Sequence, residues 1–264
     1  MIIDKQVSSM EELTRELNAL PNNYIFRGQA DAHWGLQSSL ERLLGNSWTV
    51  DQARKVEDYA LQSFKSKFRI YCGNEHQPQS KLSWLSAMQH YGAPTRLIDF
   101  TTSPYIALYF ALETYIPKSG NSFSLFYIDY SSLMEQSVKY IGGKDKEFRE
   151  TRASMHEKQD DIFEKIIDRY TYDVAWVSES AESNARIDRQ FGTFLISGSL
   201  ESKIDGLLSL DLYSKVDMVK LVVPPNLYEG AFVALRKMGI NSKTMYGDLA
   251  GLAKSIRMEL SAYM

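Results

Sequence analysis

The run Gln89-His90-Tyr91-Gly92-Ala93-Pro94-Thr95-Arg96-Leu97-Ile98-Asp99-Phe100-Thr101-Thr102-Ser103-Pro104 sets a His, a Tyr, an Arg, an Asp and several hydroxyls along one strand-like segment with a turn at each end. Buried polar groups must be hydrogen-bonded or charge-paired, so a core strand has little use for this many. A surface strand has no use for Leu97, Ile98 and Phe100. The pattern fits a buried strand whose ends deliver polar groups into a pocket. The hydroxyls of Thr101, Thr102 and Ser103 can orient a sugar or a reacting group. Ser103 also suits the cap of a helix begun by Pro104, but capping needs only one hydroxyl. His90 can move a proton, and with Tyr91 it can stack on a planar ring. The same pair reads equally well as a helix C-terminus closed by Gly92. Arg96 and Asp99 stand three apart, face opposite sides of a strand, and read first as internal braces with different partners.

A second cluster lies upstream in Tyr24-Ile25-Phe26-Arg27-Gly28-Gln29, followed by His33-Trp34. Arg27 ends a strand. Its planar fork matches phosphate or ribose oxygens bidentately, and Gly28 lets backbone approach a ligand. The competing reading buries Arg27 against a structural acid such as Asp99. His33 and Trp34 can line the same mouth, although Trp34 reads better as a core residue.

With the residues at 36–42, 89–111 and 186–194, these clusters resemble the FRG domain family of bacteria, archaea and phages, over about residues 24–252. Phe100 stands where that family usually has Trp. The resemblance implies a single FRG domain over residues 1–264, with an N-terminal helix within 1–23 and a charged helical insertion at 139–169. A more distant resemblance is to ADP-ribosyltransferases of the Arg-Ser-Glu type. Those enzymes have a strand ending in Arg-Gly, matched by Arg27-Gly28, and a strand ending in Ser-Thr-Ser, matched by Thr101-Thr102-Ser103. A helix with Ala107 and Phe110-Ala111 follows. Their third element is a Glu opening a later strand, and Gln190 stands at that place here.

The order of elements along the chain reads as one α+β domain with a helical early half, and this second resemblance implies that its mixed or antiparallel sheets are ADP-ribosyltransferase-like. It implies NAD as substrate; no metal is expected, because His76 and His156 stand isolated, without paired metal-ligand spacing. Catalytic roles fall to Arg27, Thr101, Ser103 and Gln190, and contacts to NAD to Arg27, Gly28, Gln89, His90, Tyr91, Arg96 and Thr102. Gln190 can hydrogen-bond a ribose hydroxyl but brings no negative charge, so Glu179 or Glu182 is a candidate carboxylate. The implied role is an intracellular toxin or phage-defence effector that modifies RNA, DNA or protein and is held in check by an antitoxin or inhibitor protein. The alternative is an inactive nucleotide-binding sensor or partner module on the same fold. A third reading is an RNA-processing relative that uses NAD to remove a phosphate.

Composition bounds these readings. A chain of 264 residues can bury a sizeable core. A formal charge of −3 argues against indiscriminate nucleic-acid binding. One cysteine, Cys72, gives no internal disulfide and fits a reducing cytoplasm. No signal peptide is evident, no apolar run approaches the ~18 residues of a membrane span, and no Gly-rich phosphate loop is present.

The elements that must position the clusters follow from periodicity. Ser9 with Glu11 and Glu12 predicts a helix start, ending near Leu20. Strands are expected at 24–27, 95–100, 122–130, 172–177, 192–197 and 218–223. Helices are expected at 50–71, 82–91, from Ser103-Pro104 onward, 227–238 and 247–260. The mixed charges of residues 139–169 predict a solvated helical segment.

Overall fold

Phe123-Ser124-Leu125-Phe126-Tyr127-Ile128 and Met218–Val223 are buried on both sides of their alternation, so each must be covered on two faces. In the computed structural model, which describes residues 1–73, 76–178 and 185–263, they are central strands of one sheet. Its strands are β1 (Ile3–Gln6), β2 (Tyr24–Gln29), β3 (Ile98–Thr101), β4 (Phe123–Asp129), β5 (Ala175–Ser178), β6 (Gly192–Ser197) and β7 (Met218–Val223). The order across the sheet is β1-β7-β4-β2-β3-β6-β5. β1 runs parallel to β7, and every other neighbouring pair is antiparallel. The α+β class with a mixed, mostly antiparallel sheet is therefore correct. β1 carries no apolar alternation and all four of its residues are exposed, which is why periodicity missed it.

The helices are α1 (Met10–Ala19), α2 (Ser39–Leu44), α3 (Val50–Tyr71), α4 (Lys81–His90), α5 (Pro104–Glu113), α6 (Tyr130–Lys144), α7 (Arg152–Glu157), α8 (Gln159–Lys165), α9 (Ala185–Arg189), α10 (Ile204–Leu208), α11 (Tyr228–Lys237), α12 (Ser242–Tyr246) and α13 (Leu249–Tyr263). None is long and apolar enough to cross a membrane. α5 is buried nearly all round, with Ser103 capping it through the Ile106 N–H. It packs with α1, α11 and α13 on one face of the sheet, against Tyr24, Phe26, Leu125 and Tyr127. Ile25, Ile98, Phe100 and Phe126 face the other way, toward Leu133 of α6 and α10. The period-two alternation of Ile25 and Phe26 thus assigns β2's neighbours to opposite layers.

A third cluster joins Trp176, Phe194 and Ile196 to α3, α4 and α8. Residues 139–169 are helical in large part, but they are not simply a solvated insertion. Ile141, Ile162, Phe163 and Ile167 are buried in this cluster. Their spacing was hidden among charges that face solvent. The strand expected at 95–100 is shorter and later: it begins at Ile98, and Thr95 is instead tied to Ser39 and Gln89.

Candidate functional site

β3 pairs with β6 along all four of its residues, but with β2 only at Thr101 opposite Phe26. Beyond that pair the two strands are unjoined. A cleft of about 820 Å³ opens there, lined by residues 26–30 of β2 and the following loop, by residues 99–101 of β3, and by Gln89, Gln190 and Tyr246. A split between antiparallel neighbours leaves backbone and side-chain polar groups without ladder partners, which is what a ligand site in a sheet requires.

Arg27 bridges the gap. Its Nη1 donates to the Asp99 carbonyl oxygen at 2.6 Å, while its Nε is buried with no hydrogen-bond partner. Burial lowers its pKa from the ordinary arginine value; the Asp99 carboxylate opposes that shift and Arg42 adds to it. Asp99 is exposed in the cleft, and its carboxylate accepts from Gln89 Nε2 at 2.9 Å. Asp99 is therefore not an internal brace: it contacts Arg27 through backbone, leaving its charge turned to the cleft. Arg42 and Arg186 also line the cleft, against Asp99 and Glu113. Glu113 accepts from the hydroxyls of Tyr109 and Tyr246 and from Lys254. With that acid neutralised from within the wall, Arg27 and Arg42 outnumber Asp99 and leave the described lining of the cleft a net cationic character.

Gly28 lines the cleft, but its missing side chain serves the other layer. A Cβ there would sit 1.8 Å from the Ala107 carbonyl oxygen and 2.6 Å from the Ala111 nitrogen. The glycine therefore allows α5 to lie directly on β2. Neighbouring Gln29 is only 7 % exposed; its Nε2 donates to the Gly35 carbonyl, and its Oε1 is left without a partner. Periodicity does not single out Gln29; the signal in the sequence is an amide directly after Arg27-Gly28, on a strand whose other residues are mostly apolar.

The candidate residues separate. Arg27, Gly28, Gln89, His90, Thr101 and Gln190 share the cleft. The Thr101 hydroxyl donates to the Gln190 carbonyl at 2.7 Å and accepts the Ser103 N–H, so it fixes the turn between β3 and α5. Gln190 donates its amide to the Met245 carbonyl at 3.3 Å. Ser103 is occupied as the cap of α5 and does not line the cleft. Thr102 lines a different cavity, of about 470 Å³, beside α6 and β5. Tyr91 is outside the cleft, exposed, with its ring stacked on Phe64.

Arg96 is far from a ligand role. It is buried beside Glu57 and Asp168, with its guanidinium over the rings of Tyr170 and Phe163. Trp34, expected in the core, is 54 % exposed at the cleft rim. Glu179 and Glu182 lie outside the described residues.

Residues 22–119 match the family model of the FRG domain, the family that Phe26-Arg27-Gly28 and the run from Gln89 resemble. The match holds β2, β3 and α5, and with them Arg27, Gln29, Asp99 and Thr101; it ends before Gln190. No curated protein and no solved structure matches the chain.

Proposed function

We propose that the chain carrying this FRG domain is an NAD-dependent ADP-ribosyltransferase whose substrate lies in the cleft between β2 and β3. The reading is carried by Arg27: an arginine in the second half of β2, in a cationic cleft, half satisfied by a backbone carbonyl, with a buried Nε that has no hydrogen-bond partner. Phosphate or ribose oxygens supply such acceptors, and a cavity of about 820 Å³ falls in the range for small-molecule and cofactor sites.

In the proposed reaction the bond between nicotinamide and the ribose anomeric carbon breaks, and its electron pair leaves with nicotinamide. The acceptor nucleophile forms the new bond to that carbon and gives up its proton. Positive charge develops on the ribose, as in glycoside hydrolysis. Arg27 and Arg42 would hold the diphosphate. The Asp99 carboxylate, turned into the cleft, is the charge of the right sign to favour the cationic transition state. Acceptors of the RNA, DNA or protein class, and a role as an intracellular toxin or phage-defence effector restrained by an inhibitor, belong to this proposal.

A second reading, nucleotide binding without turnover, is favoured by Gln190. Its amide is engaged with Met245, and it offers no charge. Incubation with NAD labelled in the adenylate, plus lysate, followed by separate nuclease and protease digestion, tests both. Label transferred by the wild type and lost in Arg27→Ala supports the transferase. Calorimetric NAD binding without any transfer or hydrolysis supports the binding module. Neither binding nor transfer refutes the two together.

A further inference from the structure

Trp34 is the one tryptophan of the four that is mainly exposed: Trp84 and Trp176 are buried, and Trp48 is partly buried, with its indole N–H on the Leu200 carbonyl. An indole left in water forfeits the hydrophobic stabilisation of burial, so the exposure calls for a reason. Mobility is not that reason, because the loop from Asp31 to Leu36 is pinned along its length. Asp31 accepts from the backbone N–H of His33 and pairs with its ring, and it also accepts from Asn121. The two His33 bonds hold the Asp31 carboxyl below its ordinary pKa. Ala32 N–H donates to the Ser122 carbonyl, and Lys220 Nζ donates to the Trp34 carbonyl. Gln29 Nε2 grips the Gly35 carbonyl, and Asp205 accepts the Leu36 N–H. A fixed loop thus holds an uncovered aromatic face at the rim of a cationic cleft.

Resting on the reading that the cleft takes a dinucleotide, we infer that Trp34 is the platform on which the adenine base stacks, with Gln29 beneath it. One observation fixes the chemistry. The unmet Oε1 of Gln29 is an acceptor, since its Nε2 is committed to Gly35, and adenine offers an exocyclic amine to an acceptor. The position fixes the end of the ligand. The loop is anchored through Asn121 and Ser122, which lead into β4, and through Lys220 of β7, whereas Gln190 leads into β6 and Thr101 ends β3. Strands in a sheet are about 4.8 Å apart, so the three steps from β4 to β6 alone set the base at least roughly 14 Å from the reacting end. Arg27 lies between, where a diphosphate would cross.

The experiment is a titration of the full chain with AMP, IMP, nicotinamide mononucleotide and NAD, read by tryptophan fluorescence and by calorimetry. AMP and NAD are expected to quench the fluorescence, and Trp34→Phe to remove the quench while keeping most of the affinity. Trp34→Ala should weaken AMP binding roughly tenfold, the scale of losing one base–aromatic stack. IMP, which lacks the exocyclic amine, should bind more weakly than AMP in the wild type and equally in Gln29→Leu. Quenching by nicotinamide mononucleotide but not by AMP overturns the inference, as does calorimetric NAD binding that Trp34→Ala leaves unchanged; in that last case the transferase reading survives. Failure of the wild type to bind NAD at all removes both.

Discussion

Arg27 of β2 and Arg96, two residues before β3, meet opposite surroundings. Arg96 enters the layer between α3, α4 and α8, where Glu57, 1 % exposed, and Asp168 face it and two aromatic rings cover it. Burial works against its charge, but Glu57, Tyr170 and Asp168 outweigh that and raise its pKa above the ordinary value. Lys81 extends the group by pairing with Asp168. Arg27 has the same side chain and a similar loss of water, yet its contacts are one backbone carbonyl and the field of Asp99. The surplus of anionic partners at Arg96 describes a brace. The deficit at Arg27 describes a binding group. Desolvation is common to both sites, so charge compensation is what tells structure from function here.

That contrast breaks most sharply on stability. Arg96→Ala leaves the Glu57 carboxylate buried with the Tyr170 hydroxyl as a donor but without its opposite charge, and is expected to cost about 3–5 kcal/mol in urea unfolding. Arg27→Ala removes a desolvated cation with few partners and should change stability by less than about 1 kcal/mol. The same variant is expected to raise the NAD dissociation constant at least tenfold, because hydrogen bonds to a charged partner contribute about 1.5–3 kcal/mol. Equal, large losses of stability at both positions would make Arg27 a brace as well.

Smaller effects sharpen the picture of the cleft wall. Gln190→Glu sets a carboxylate against the Met245 carbonyl that now accepts its amide. It is expected to lower stability by about 1–2 kcal/mol near neutral pH, with part of the loss recovered in acid as the new carboxyl protonates. A melting temperature equal to wild type at pH 7 would show that the side chain has turned into the cleft. Asp99→Ala is expected to cost below about 1 kcal/mol, since its carboxylate is exposed and bonded only to Gln89 in that wall; a loss near 3 kcal/mol would restore it as a brace.

The smallest predicted effect concerns the loop that carries Trp34. Burial raises the Asp205 pKa above 3.8; the Leu36 N–H opposes this, Glu41 adds to it and Lys220 reduces it. Between 3.8 and that raised value the folded chain holds more protons than the unfolded one, so this group's contribution to stability declines as pH rises through the window. Asp205→Asn keeps an acceptor for Leu36 and should flatten that part of the stability–pH curve. An unchanged curve would show that Asp205 is as well solvated folded as unfolded.

What the sequence determined by itself was local. The bounds of α3, β6 and β7 follow from periodicity, and the start of α5 follows from Ser103-Pro104, because these depend on the alternation of apolar residues and on capping within a few residues of chain. The chain order of Arg27, Thr101 and Gln190 also marked three segments that meet at one cleft. Tertiary structure decided which polar groups face that cleft. Arg96 and Asp99 look alike as candidates in sequence, but the partners that bury one and the strand split that exposes the other come from residues such as Glu57 and Asp168, distant along the chain. Trp34 read as core because large aromatics usually are; its exposure depends on Asp31, Asp205 and Lys220 holding the loop. The lone pair at Phe26 and Thr101, from which the cleft opens, is a matter of register between strands some 70 residues apart, and periodicity within a strand carries no information about where its neighbour lets go.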